Sequence, residues 1–372
     1  MKLEEEGPLR VLCHDMEADV LIIGGGIAGV SAAARLAALG SVLLLEAETA
    51  LGHHASGRSA AMYEPYYGKP AVVALSLASG DYLRGVAGML TPRGMMVLAR
   101  AGEAAALAGE AVAQRMDVIT AAEARRLVPI LGEAVVAAAY GAQAWDIDTD
   151  LLLQGFARTA RGLGARIVLG ARVKGIARVA GGWRVVTAAG EYTARIIVNA
   201  AGAWVDEVAL LAGVAPLGFT PLRRSMARIP APGGLDVSAW PMMFGVGETW
   251  YAKPDAGALI VSPAEEHPLP PQDAYADDMV LAEGLARYEA MVSEPVTRLL
   301  ANWAGLRTFS PDRVLVIGRD VAEPDFFWLA GQGGYGFQSS AAASQLAADL
   351  IGGAALRLPL ELVAQLDPAR FG

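Results

Sequence analysis

Short unbroken apolar runs punctuate the chain, and each is the length of a buried strand. The first, at 20–23, is followed directly by Gly24, Gly26 and Gly29. An Ala-rich stretch then predicts a helix to Leu39 with Gly40 as its stop, and a second apolar run covers 42–45 before Glu46. Further buried strands are expected at 195–200, 314–317 and 326–329, and strands also at 164–173 and 183–186, with Gly181 and Gly182 as the turn before the last. Residues 220–230 and 249–262 predict strands of a second, mixed sheet, broken by a Pro-Asp-Ala-Gly turn at 254–257. Helices are expected over 101–126 and 340–351, and the glycine-punctuated segment 51–68 predicts a helical turn around 57–62. A membrane span over the first apolar stretch is the competing reading; the glycines in its middle, Arg35 and Gly40 argue against it.

Strand, glycines, helix, strand and acid occur in the order of a dinucleotide-binding unit. Gly24 permits the tight turn, Gly26 lets a pyrophosphate approach the backbone, and Gly29 lets the helix pack close to the strand. The helix N-terminus offers unpaired N–H groups and a positive dipole end to phosphate. Glu46 follows Gly24 by 22 positions, near the spacing at which an acid accepts from a ribose hydroxyl.

Composition narrows the class. The chain has 372 residues, 54% hydrophobic and 19% charged, which suits a globular protein of two domains. A net charge of −9 disfavours nucleic acid as a partner. One cysteine, Cys13, excludes an intrachain disulfide and a cysteine zinc cluster. The first residues carry no apolar signal segment, so a cytoplasmic protein without an integral membrane segment is expected, and 1–15 read as an extension outside the fold.

The segments IIGGGIAG, GHHASGRSAA, WDIDTD, IVNAAGAW, WAGLR and GQGGYGFQ, in this order, resemble the D-amino acid oxidase superfamily of FAD-dependent amine dehydrogenases and oxidases, most of all its D-arginine dehydrogenase branch. The resemblance runs from Met16 to about residue 355. It implies an α/β fold: a Rossmann-like FAD-binding domain over 16–60, 141–215 and 308–372, and a discontinuous α+β substrate domain, with a mixed sheet, over 61–140 and 216–307. It implies non-covalent FAD. The ADP half would rest on Gly24, Gly26, Ile27, Ala28, Gly29, Glu46 and Ala47. Ser56, Gly57, Arg58 and Ser59 would run along the flavin, Val173 would hold adenine through its backbone, and Ala201, Gly202 and Gly305 complete the lining. Gly333, Gly334, Tyr335, Gly336 and Phe337 would lie near the isoalloxazine ring; an ordinary helix-entry turn is the alternative for these glycines.

The same resemblance assigns Arg224, Arg307 and Tyr251 to a substrate carboxylate, a task suited to the planar guanidinium fork. A structural ion pair is the alternative for either arginine, and Arg223 adjoins Arg224. The substrate amine would lie near the Gly334 carbonyl and Gln338, and Tyr67 would belong to a loop closing over the pocket, or be a surface aromatic. The acid that would recognise a guanidinium falls on Met95. With Met62, Met242 and Phe244 it predicts an apolar side-chain pocket, or plain core; Glu64 is the one acid there able to attract a cation. The implied activity is oxidative deamination of a D-amino acid, with an apolar side chain, to the 2-oxo acid and ammonia by hydride transfer to flavin N5. Glycine, sarcosine or another secondary amino acid, or the flavin subunit of a hetero-oligomeric amine or opine dehydrogenase, are the alternatives. Oxygen and a quinone or dye are equally compatible acceptors.

Other signals are weaker. Asp146, Asp148 and Asp150 lack the glycine and distal glutamate of a calcium loop and read as caps of the following helix. His53 and His54 suggest no ligand set, so no metal is expected. Ser56 and Ser59 sit in no nucleophile elbow.

Overall fold

The computed structural model describes residues 17–372; the expected extension at 1–15, Cys13 with it, lies outside the described residues. The first sheet has eight strands and a parallel centre. Strand Ala18–Ile23 pairs in parallel with Val42–Leu45 on one side and Glu191–Asn199 on the other. The latter pairs through its first half with Gly182–Thr187 and through its second half with Phe326–Ala330. Alternate residues enter different cores, as strand geometry requires. Val20, Ile22, Val42 and Leu44 meet a layer of helices, whereas Leu21, Ile23, Leu43 and Leu45 meet a cluster around Trp183 and Trp328.

Helices Ile27–Leu36, Thr149–Gly162 and Gly336–Gly352 form that layer. Helix Pro70–Gly85, expected with the substrate domain, packs against Gly336–Gly352 instead and shares its core through Ala71, Val72, Leu75 and Leu83. The second sheet is mixed and nine-stranded. Its centre runs Thr220–Pro230, Ala258–Ser262, Tyr251–Asp255, Met242–Gly245 and Met95–Ala99, with Ala301–Phe309 along the other edge of the first of these. A small antiparallel sheet of Met62–Tyr63, Trp145–Ile147 and Leu90–Pro92 stands between the two. Asp146 on its middle strand accepts from Arg93 Nε at 2.8 Å and from Lys253 Nζ at 2.9 Å, tying it to the second sheet.

Several element boundaries differ from expectation. The first helix ends at Leu36, because the N–H groups of Leu39 and Gly40 both turn back to the Leu36 carbonyl. The expected helix over 101–126 is two helices, Ala104–Ala113 and Ala121–Leu127. Edge strand Asp117–Thr120 intervenes, and a Thr120–Glu123 capping box starts the second helix. The helical turn expected at 57–62 is a 3-10 turn at Ala55–Arg58, after which the chain becomes strand. The final helix starts at Gly336, four residues early. Asp148 does cap its helix, accepting from Leu151 N–H at 2.8 Å. Asp146 is drawn off by Arg93 and Lys253.

The glycine turn is sterically closed. A Cβ on Gly29 would lie 1.9 Å from the Gly24 carbonyl oxygen, and Gly24 itself sits at φ +112° against the Ala200 carbonyl. Gly29→Ala therefore has to push helix from strand. It should lower stability by about 2–4 kcal/mol and deplete bound cofactor; an unchanged Tm with full cofactor content would contradict this packing.

Candidate active site

A cavity of about 380 Å³ opens beyond the carboxyl ends of the first two strands, where open α/β sheets bind ligands. Of the residues expected around a dinucleotide, Gly24, Gly26, Ile27, Ala28, Glu46, Ala47, Ser56, Arg58, Ser59 and Val173 line it. So do Ala201, Gly202, Gly305, Gly333, Gly334, Gly336 and Phe337. Gly29, Gly57 and Tyr335 do not. Gly29 packs behind on Gly24, Gly57 faces the Gly52 carbonyl, and the Tyr335 ring leans on Tyr67 with centroids 5.4 Å apart. Ser56 Oγ accepts from Ile27 N–H at 3.0 Å, fixing the polar segment over the helix N-terminus. Glu46 accepts from the N–H groups of Gly25 and Glu48 at 2.5 and 2.8 Å, which holds its carboxylate at the cavity wall with lone pairs to spare. The glycine cradle, the helix N-terminus and this acid fit an adenine dinucleotide. Trp204, Gln272 and Gln332 also line the cavity and were not singled out from sequence; so do His53 and His54, which sequence raised only as a rejected metal pair. Glu48, His53 and His54 converge within 4.8 Å, but Arg172 Nη2 sits 2.9 Å from the same Glu48 oxygen that His54 meets, the arrangement of an ion-pair cluster.

A second cavity of about 50 Å³ adjoins the first; Ser59, Arg307, Gly334 and Phe337 line both. Met62, Glu64, Tyr67, Met242, Phe244, Tyr251 and Gln338 also line it, together with Glu248, Ala60 and Ala61. Met95 does not reach it. Paired in register with Met95, Met242 takes the wall position, and Met95 is core with Val97 and Leu107. Nor does Arg224 line the small cavity; it borders the larger one. Arg223 and Arg224 take opposite faces of their strand. Arg223 lies near Glu265 and Asp277, so only Arg224 belongs to the site.

Glu248 is the residue that sequence reasoning missed. It sits in the turn Val246–Glu248 with φ +53°, an unfavourable value for a side chain other than glycine. Three groups hold it there. Arg224 Nη1 donates to Oε1 at 2.9 Å, Tyr67 hydroxyl donates to Oε2 at 2.5 Å, and Arg307 Nη1 lies 3.9 Å from Oε1. Burial opposes ionisation, but the two arginine charges and the Tyr67 hydroxyl outweigh it and hold the Glu248 carboxyl below its ordinary range. The second arm of Arg224 approaches Glu266 at 3.4 Å. Both arms of Arg224 are thus committed, whereas Arg307 has one loose contact and faces both cavities. The only sequence signal for Glu248 was an acid in a glycine-flanked turn just before Tyr251.

Glu64 is the opposite case. It is 5% exposed, its Oε1 has no partner, and its N–H donates to Gln338 Oε1 at 2.9 Å. Burial, and then the Glu248 charge, push its carboxyl up to about 8, so near neutrality it is mostly the uncharged acid.

Among the described residues, no helix is long and apolar enough to cross a membrane. The chain is 29% identical over 383 residues to the tRNA 5-methylaminomethyl-2-thiouridine biosynthesis bifunctional protein MnmC of Thiobacillus denitrificans. That match covers 95% of the chain but 59% of the relative, so the chain spans about three-fifths of its length. It is 28% identical to glycine oxidase of Pseudomonas putida, covering 91% of the chain and 96% of that protein. Among solved structures, L-proline dehydrogenase from P. horikoshii superposes with a TM-score of 0.81 at 23% identity, over 96% of this chain and 98% of that one. Glycine oxidase from Geobacillus kaustophilus gives 0.80 at 24%, over 95% and 98%. These likenesses agree with the mixed α/β architecture, and a family model described as FAD dependent oxidoreductase matches residues 19–350. The chain is a member of the DAO family of FAD dependent oxidoreductases, and FAD is its cofactor.

Proposed function

We propose that the protein oxidises the amine of an amino acid bearing a compact apolar side chain, with the substrate carboxylate on Arg307 and FAD in the larger cavity. One observation carries this reading: the two cavities meet at Ser59, Arg307, Gly334 and Phe337, so a molecule in the small cavity touches whatever fills the large one. Bound FAD supplies the two-electron acceptor. The protein's part is placement. Gly24, Gly26, the N-terminus of helix Ile27–Leu36 and Glu46 would hold the adenine end, and Gly333, Gly334 and Gly336 the ring end. Arg307 anchors the carboxylate and fixes which face of the α-carbon turns to the larger cavity. Arg224 keeps Glu248 in place rather than meeting the substrate. The coarse activity is that of an FAD-dependent amine oxidoreductase.

The side-chain wall of Met62, Met242 and Phe244 is apolar and deformable. It suits a D-amino acid with an apolar side chain, giving the 2-oxo acid and ammonia. Glycine, sarcosine or another secondary amino acid is a second reading. The cavity volume favours it, being far below the roughly 300–1,000 Å³ of drug-sized ligand sites, and so do relatives named glycine oxidase and L-proline dehydrogenase. The MnmC relatives are named for tRNA biosynthesis. A net charge of −9 gives no general attraction to phosphate, which weighs against a nucleic-acid substrate here.

Two outcomes test this reading. The purified protein should be yellow, with about one FAD per chain released by acid denaturation, because the described residues that line the cavity include no cysteine; flavin that stays on the precipitated chain would contradict non-covalent binding. Arg307→Met should lower kcat/KM by about 2–4 kcal/mol, mostly through KM, the range for removing one partner of a buried charge pair. A value within about twofold of the parent would remove the carboxylate anchor from Arg307.

A further inference from the structure

We propose that Glu64 binds the substrate's ammonium group and takes up its proton, an inference that rests on the amino-acid reading above. Round the small cavity three buried polar atoms lack partners: Glu64 Oε1, Tyr251 hydroxyl and Gln338 Nε2, each on a residue no more than 5% exposed. A buried polar atom without a partner is costly, so such a set in one cavity describes the ligand that would satisfy it. Glu64 calls for a donor. Gln338 Nε2 is a donor and calls for an acceptor, and the Tyr251 hydroxyl can serve either way. With Arg307 on the same wall, the complement is a zwitterion: carboxylate toward Arg307, Tyr251 and Gln338, ammonium toward Glu64.

Glu64 is also the group suited to the proton. An ammonium has no nitrogen lone pair to support oxidation at the adjacent carbon, so a proton must leave. When the cation arrives, Glu64 releases its own proton to solvent and pairs with it. The ammonium N–H bond then breaks, the proton passes to a Glu64 carboxylate oxygen, and the electron pair stays on nitrogen as the neutral amine. A carboxyl pushed up to about 8 is close enough to an amine to accept that proton. The other groups facing it are Glu248, which opposes its ionisation, and Tyr67, Tyr251, Arg307 and Gln338. Glu248 is itself tied to Arg224 and Tyr67, which leaves Glu64 as the acid free to meet a cation.

The test is equilibrium binding to the FAD-loaded protein, followed by intrinsic fluorescence. The probes are 2-aminoisobutyrate, which lacks an α-hydrogen and cannot be oxidised, and isobutyrate, the same skeleton without the amine. The parent protein should bind 2-aminoisobutyrate at least about tenfold more tightly, and its Kd should fall from about pH 6.5 to about pH 8.5 as Glu64 ionises more readily. In Glu64→Gln the preference should shrink to within about twofold and the pH trend should vanish, with isobutyrate binding unchanged. A preference that survives in Glu64→Gln overturns the assignment and leaves the proposed function standing. If the parent protein binds neither probe, the amino-acid reading fails and this inference with it. Should Glu64→Gln lose its flavin, the parent's pH trend decides, since a flat Kd removes Glu64 from ammonium binding.

Discussion

Arg224, buried, and Arg307, half-buried, stand on neighbouring strands of the second sheet, and a guanidinium withdrawn from water without a partner is strongly unfavourable. How each is satisfied shapes the site. Arg224, on strand Thr220–Pro230, is closed off by Glu248 and approached by Glu266. That pairing holds the turn Val246–Glu248 in a backbone conformation that glycine would adopt more readily, and the turn in turn brings Tyr67 over the cavity through its hydroxyl. Arg307, on the neighbouring strand Ala301–Phe309, is left with a single contact at 3.9 Å. The near-cancelled charge of Arg224 and Glu248 beside the under-committed charge of Arg307 is why the proposed function gives the substrate one anion seat rather than two.

Two sheets must be held in register for that seat to face the cofactor cavity. Arg58 does part of this. It runs from the 3-10 turn Ala55–Arg58 to the carbonyls of Ala274 and Ala304, at 2.9 and 2.8 Å, and pairs with Asp273. Asp146 does the same from the small sheet through Arg93 and Lys253. The bonds of Asp146 and those of Arg58 to the two carbonyls are half-buried and charge-assisted, roughly twice as strong as neutral ones, while Asp273 is exposed and adds little; all bridge segments far apart in sequence.

What sequence made legible was local. Gly29 is dictated by a clash with the Gly24 carbonyl five residues back, which the spacing announces, whereas Gly24 and Gly26 are closed by Ala200 and Ser56 from distant segments. The parallel centre of the first sheet, buried on both faces, follows from apolar runs of strand length. Arg307 and Gly334 could be placed through motif order. The resemblance pointed to Met95 as a pocket residue, but strand register puts Met242 at the wall, and no pattern along the chain reveals a parallel pairing between positions so distant. Glu248 was invisible for a related reason: its role exists only because Arg224, Arg307 and Tyr67 converge on it from three other segments. The helix expected over 101–126 failed differently. Ala-rich composition favours helix throughout, while the edge strand depends on pairing with Ala137–Gly141; the Thr120–Glu123 capping box is local and was the sequence signal for the break.

Whether Arg307 takes a carboxylate beside the cofactor decides the proposed function. The most direct measurement is anaerobic bleaching of the bound flavin by a panel of amines, each amino acid set against its own primary amide. The amide keeps the amine and the α-hydrogen but removes the negative charge. Arg307 as the anchor predicts bleaching by small apolar amino acids, with the matching amides at least roughly a hundredfold poorer in rate per concentration. Equal bleaching by acid and amide would contradict it, and would mean that Arg307 serves the fold and not the substrate.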